Sequence, residues 1–279
     1  ITPFRKRPFP RAQKYAKMPA EIRKAGNAMP QQRLDKIIAS TGRFSRREVK
    51  QLVREGRVLV NGRIAAGAEE KCDPLTARIT VDGADVGYRA HTWVMLHKPA
   101  GVLSATEDGR GKTVLDLLPP EYRRMGLFPV GRLDRDTEGL LLLTDDGALA
   151  HDLLAPKKHV DKVYLVRTDG ALTQEDCAAF AAGITLAGGL ACLPAKLEII
   201  TSGAQSEALV TLHEGKFHQI KRMLASRGKP VVYLKRLSMG PLALDSSLAP
   251  GDYRLLTGEE TARLGAAWQI AQEKNSEDR

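Results

Sequence analysis

Four consecutive leucines, Leu140–Leu143, follow directly on a charged stretch, and no other feature restricts the folding of this chain so strongly. An unbroken apolar run does not suit a half-exposed strand, whose faces alternate. It predicts a short strand at Leu140–Thr144 covered on both sides, inside a layered domain. Asp145-Asp146-Gly147 ends that strand, and Ala148–Leu154 reads as a short helix. Just upstream, Arg132, Asp134, Arg135, Asp136 and Glu138 alternate in sign. Charges delivered to the end of a buried strand fit a carboxylate held among cations in a polar cleft. They fit equally a structural turn closed by local ion pairs, in which Arg132 would pair with Asp136 or Glu138.

The net charge of +10 is unevenly placed: residues 1–60 hold 16 Lys and Arg against 4 Asp and Glu, while the remainder is close to neutral. A basic excess at one end points to a polyanion-binding arm or module, with nucleic acid as the commonest partner. Residues 1–30 carry Pro, Gly, Ala and basic residues without apolar periodicity and read as a flexible basic arm. They lack the Ser richness and regular apolar face of an organelle-targeting segment. Three scattered cysteines, Cys72, Cys177 and Cys192, suggest neither a disulfide framework nor a metal site, and fit a reducing compartment. No apolar run approaches the roughly 20 residues needed to span a bilayer. A cytoplasmic, monomeric protein without metal or cofactor is expected.

From Gln31 the pattern becomes regular. Leu34, Ile37 and Ile38 fall at helical spacing, with Gly42 closing that helix. Ser45 and Glu48 form an S-x-x-E capping box for a second, with Val49, Leu52 and Val53 inside. Asn61-Gly62 is a strong type I′ hairpin signal, and Ala77–Val81 ends the unit at Asp82-Gly83. Arg43, Arg46, Arg47, Lys50, Arg54 and Arg57 crowd on or beside one short helix, too densely to be core. R-L-D-K-I-I-A at 33–39, S-R-R-E-V-K-Q-L-V at 45–53 and G-x-V-x-V-N-G at 56–62 resemble the S4-type RNA-binding domain. That resemblance nominates Arg43, Arg46, Arg47 and Lys50 as RNA contacts, of the kind that position a protein without reading bases.

The expected organisation is a basic arm at 1–30, an S4-like domain (αα plus hairpin) at 31–85, a catalytic domain at 92–270 and a polar tail at 271–279. In the larger domain Trp93–His97, Lys162–Arg167, Ile199–Ile200, Ala208–Leu212 and Val231–Leu234 read as strands. Thr173–Ala182 and His218–Ser226 read as helices, Val114–Leu118 as helix or strand, and Pro119-Pro120 as a break. Strands and helices mix without strict alternation, which predicts an α+β fold around a mixed β-sheet.

G-R-L-D at 131–134 with T-x-G-L-L-L-L-T-x-D-G at 137–147 is similar to the signature of the pseudouridine synthases that modify ribosomal RNA. H-K-P-A-G-V at 97–102, H-V-D-K-V-Y-L-V at 159–166 and H-E-G-K-F-H-Q-I-K-R-M-L at 213–224 resemble that family's other motifs in the same order. The likeness is nearest to the RsuA-like branch that acts on the small-subunit (16S) rRNA. Lys216 and Phe217 stand where that family commonly has Arg and Tyr.

The resemblance implies an isomerase with Asp134 as catalytic carboxylate, Lys221 as its cation and Tyr164 as the aromatic against the uracil. It implies RNA contacts at Arg132, Lys98, Lys216, His218 and Gln219. The partner it implies is ribosomal RNA or a pre-ribosomal particle, and the target uridine would be flipped out of its stack. The alternatives are a large-subunit (23S) enzyme of the same family and a non-catalytic S4-domain assembly factor. A glycoside hydrolase would need a second catalytic carboxylate at a suitable distance and would leave the basic end unexplained.

Overall fold

A computed structural model describes residues 31–155 and 160–265, and the chain divides into two compact units after Ala90. The basic arm at 1–30, the tail at 271–279 and His159 of the third motif lie outside the described residues.

The smaller unit is built from local signals. Helix α1 (Leu34–Ala39) buries Leu34, Ile37 and Ile38 completely. Helix α2 (Arg46–Arg54) starts on the expected capping box: the Ser45 hydroxyl accepts from the Glu48 amide, and the Glu48 carboxylate accepts from the Ser45 amide at 2.6 Å. Two helix-end amides are thereby satisfied reciprocally. Strands β1 (Val58–Val60) and β2 (Arg63–Ile64) join through Asn61 and Gly62, both at positive φ as a type I′ turn requires. Strand β3 (Ile79–Val81) pairs with β1. Asp82-Gly83 does not end the unit as expected; it turns the chain into a further short strand, β4 (Ala84–Asp85). Val86 belongs to this core, with Tyr88 packed against it.

The larger unit is organised on a nine-stranded sheet. Strand β5 (Trp93–Lys98) leads through a 3₁₀ turn at Val114–Leu117 to α3 (Pro120–Arg124). The Pro119-Pro120 pair starts this helix, because a proline in the first turn has no amide to leave unsatisfied. Next come β6 (Phe128–Pro129), β7 (Glu138–Thr144) and α4 (Gly147–Leu154), the last capped by the Asp146 carboxylate. Then follow β8 (Lys162–Asp169), α5 (Gln174–Ala182), the small hairpin β9 (Thr185–Leu186) and β10 (Leu190–Ala191), β11 (Lys196–Thr201) and β12 (Gln205–Leu212). Helix α6 (Gln219–Ser226), β13 (Val231–Met239), β14 (Leu242–Ala243) and β15 (Tyr253–Leu255) complete the larger unit's main elements.

The strand order is β11-β12-β8-β13-β7-β5-β15, with β14 on β13 and β6 on β7. Only β13 and β7 run parallel within it, over Lys235↔Glu138 and Arg236↔Gly139, so the sheet is mixed and the fold α+β. Strand β7 is covered on both faces. Leu141 and Leu143 join the core that includes Ile220, Met223 and Phe180, while Leu140 and Leu142 join Trp93, Met95, Ala150 and Leu153 on the other side. All four leucines are wholly buried, each contributing about 1.5–3 kcal/mol over exposure. No described helix is long and apolar enough to cross a membrane.

Candidate active site

The loop from Gly131 to Thr137 is charged, yet its backbone is fixed by groups brought from elsewhere. Ser104 grips it at Leu133, its hydroxyl accepting from the Leu133 amide at 3.1 Å and donating to the Leu133 carbonyl at 2.9 Å. The Gly101 amide donates to the Arg135 carbonyl at 2.7 Å, and the Thr137 amide donates to that of Asp134. Lys98, at the end of β5, donates from its ammonium to the carbonyls of Asp134, Arg135, Thr137 and Pro99 at 2.8–3.2 Å. Its side chain is fully buried, which corrects the expectation that it contacts RNA. Burial pushes this ammonium down to about 8, against the pull of Asp136, Asp134 and Glu138. Gly139 then lets β7 press against β13, since a Cβ there would stand 2.2 Å from the Arg236 carbonyl oxygen.

With its backbone held from below, the loop turns the Asp134 carboxylate toward α6. Lys221 Nζ lies 2.9 Å from Asp134 Oδ2 and 2.6 Å from Asp136 Oδ1. One ammonium therefore serves two carboxylates. Burial pushes Lys221 down, but its hydrogen bonds to Asp136 and Asp134 outweigh this and hold it above the usual lysine value. The Lys221 hydrogen bond likewise holds Asp136 below the ordinary carboxylate value. His218 Nε2 is 3.5 Å from Asp134 Oδ1. The local pairing of Arg132 with Asp136 or Glu138 does not occur: Asp136 takes its cation from 85 positions downstream, and Glu138 accepts from the Tyr233 hydroxyl at 2.9 Å. Arg132 is exposed beside the cleft, with no ion pair among the described residues.

Asp134 opens onto a cleft whose walls include Arg132, Tyr164, Leu212, His218 and Ile220. Tyr164, the third residue of β8, reaches it, is 9% exposed, and sits across from Val210 on one side and Arg236 on the other. The structure thus gathers Asp134, Tyr164, Arg132, Lys216, His218 and Gln219 around one cleft, with Lys221 on the Asp134 carboxylate.

Glu214, absent from the sequence reading, organises the far wall. It accepts from the Leu193 amide, from Gln219 Nε2 at 2.7 Å and from Lys216 Nζ at 2.9 Å. Burial pushes its carboxyl up, but Lys216, the Leu193 amide and Gln219 prevail and keep it below the usual range. Gln219 is 4% exposed and also accepts from the Lys216 amide, so its amide braces this motif instead of facing RNA as expected. In the smaller unit Arg43, Arg46, Arg47 and Lys50 are exposed. Arg43 lies over the Phe44 ring, and Lys50 approaches Glu69 at 3.8 Å.

Comparison with known proteins agrees with this architecture. Residues 92–226 match the model of the RNA pseudouridylate synthase family, and residues 32–74 match that of the S4 domain. An uncharacterised RNA pseudouridine synthase of Bacillus subtilis, YtzG, is 51% identical over 82% of this chain and 96% of its own length. A protein of Vibrio cholerae named ribosomal small subunit pseudouridine synthase A is 39% identical over 83% of this chain and 99% of its own length. Its namesake in Salmonella typhimurium is 40% identical over 84% of this chain and all of its own. A crystal structure of a pseudouridylate synthase covers 83% of this chain and 99% of that one at 36% identity, with a TM-score of 0.58. Identity at this level, sustained over nearly the full length of each relative, makes the chain a member of the RNA pseudouridylate synthase family, an S4-bearing pseudouridine synthase.

Proposed function

We propose that this enzyme isomerises a uridine of small-subunit ribosomal RNA, using Asp134 as its catalytic carboxylate on a nucleotide flipped out of the RNA. The observation that carries the reading is the Asp134 carboxylate, open to a cleft and held 2.9 Å from Lys221. The relatives named for the ribosomal small subunit support the substrate.

Pseudouridine formation breaks the N1–C1′ bond, turns the uracil and joins C5 to C1′; C5 loses a proton, N1 gains one, and there is no net redox change. A carboxylate is needed close to the sugar and base, and the Lys221 ammonium stands 2.9 Å from that of Asp134. Tyr164 offers a ring face for the everted uracil and a hydroxyl for proton handling at C5. Arg132, exposed at the rim, is placed to meet a phosphate or fill the gap left by the extruded base. Eversion costs a few kcal/mol, which phosphate contacts made by Arg43, Arg46, Arg47 and Lys50 of the S4 domain help offset.

Asp134→Asn tests the reading. It should abolish tritium release from [5-³H]uridine-labelled small-subunit rRNA while RNA binding stays within about threefold. Turnover at the wild-type rate would end the assignment of Asp134. Mapping pseudouridines in the RNA of both subunits after exposure to the wild-type enzyme separates a small-subunit from a large-subunit target.

A further inference from the structure

Phe217 is a large aromatic side chain left 74% exposed. Isolated exposed apolar residues such as Ile64 and Leu75 call for no explanation. What sets Phe217 apart is its neighbour. Its ring stacks on the imidazole of His218 with centroids 3.8 Å apart and planes 17° from parallel. His218 lines the cleft and lies 3.5 Å from Asp134. Successive side chains ordinarily diverge; these are brought together at a turn in which His218 takes the left-handed conformation, φ 50° and ψ 34°. A two-ring column therefore runs outward from the carboxylate, and its outer member meets solvent.

The surroundings define what could cover that ring. Lys216 is paired with Glu214, but Arg132 lines the same cleft exposed and without an ion pair among the described residues, so the rim offers a cation to a phosphate. A covering group must be planar and attached to a polyanion. Aliphatic or protein aromatic partners have no reason to seek a basic rim, whereas a nucleobase next to an everted nucleotide presents a π-face and carries its own phosphate.

We propose that Phe217 is the stacking platform for a base flanking the target uridine, and so a determinant of substrate affinity and local sequence context. This rests on the RNA reading above. Base–aromatic stacking corresponds to roughly a 5- to 150-fold change in affinity per base.

The experiment uses the full chain and [5-³H]uridine-labelled small-subunit rRNA transcript, comparing wild type with Phe217→Ala, Phe217→Leu and Phe217→Tyr. Phe217→Ala should raise KM about 5- to 150-fold with kcat within about threefold. Phe217→Tyr should restore KM; Phe217→Leu, similar in bulk but without a π-face, should not. A KM for Phe217→Ala within twofold of wild type, rescue by leucine, or a fall in kcat with KM unchanged would each overturn the platform. If wild type released no tritium from this transcript but did so from another RNA, the rRNA assignment would fail while the same variants judged Phe217 on that RNA.

Discussion

Replacing Gly139 by alanine isolates the contact that joins the Asp134 loop to the sheet. The added methyl carbon would stand 2.2 Å from the Arg236 carbonyl oxygen, 2.6 Å from its nitrogen and 2.9 Å from its carbonyl carbon, all backbone atoms. Rotamer changes cannot relieve such a clash, so β7 and β13 must part. Overpacking of this sort costs about 1–3 kcal/mol, and holding an alanine at φ +104° adds about 1–3 kcal/mol. The sum, about 2–6 kcal/mol, lowers the Tm of a unit this size by roughly 5–20 °C. Asp134 lies five positions upstream, and a shift near 1 Å at a reacting group costs about 100-fold in rate. Calorimetry of the full chain should show the larger unit's transition falling by that amount, and tritium release should drop about 100-fold where the protein is still folded. Gly126→Ala is the control: its φ is +74° but nothing lies within 4 Å of the new carbon. It carries the backbone strain alone, about 1–2 kcal/mol, and should leave turnover intact. A Gly139→Ala transition within about 3 °C of wild type, or equal losses in the two variants, would refute the close-packing argument.

Lys221→Met should lower kcat about 10- to 150-fold, the value of a hydrogen bond to a charged group, while Lys221→Arg keeps more activity; wild-type turnover by the methionine variant would remove Lys221 from the chemistry. Arg254 on β15 joins Asp245 at 2.6 Å and Glu260 at 2.7 Å. Ser247 and Arg254 hold Asp245 down to about 2, and chiefly Arg254 holds Glu260 at about 2, from ordinary values of 3.8 and 4.5. Depressed carboxylates stabilise the fold fully above their unfolded values and lose that contribution as pH falls toward 2. Thermal melts should therefore weaken between about pH 4.5 and 2, and Arg254→Met should flatten that slope; an unchanged slope would show that the cluster contributes nothing to acid stability.

Local physics made much of the fold legible. The Ser45–Glu48 box, the Asn61-Gly62 turn and the leucine run depend on neighbouring residues or on burial of a whole strand, and each forms where the sequence places it. Elements set by distant partners were less visible. Strand β15 has three residues and exists because it pairs with β5, and the Asp82-Gly83 turn needed β4 to become a hairpin. The site divides the same way. The grouping of Asp134, Tyr164 and Lys221 came through motif likeness, since sign alternation alone left a turn with local ion pairs as an equal reading. A lysine closing an apolar strand, as Lys98 does, looks exposed in sequence until three carbonyl acceptors arrive from a distant loop. Glu214 carried no signal beyond being one acid in a basic motif, and its importance lies in three donors that only the folded chain supplies.

The buried ammonium of Lys98 has a practical consequence for anyone hoping to transplant this loop. It reaches the Asp134 carbonyl from 36 positions away, so the loop's shape is imposed by a separate segment. Residues 131–138 copied alone into a new scaffold would bring the carboxylate without the mould that aims it. A working graft must carry Trp93–Lys98 along with the loop, as one discontinuous cassette.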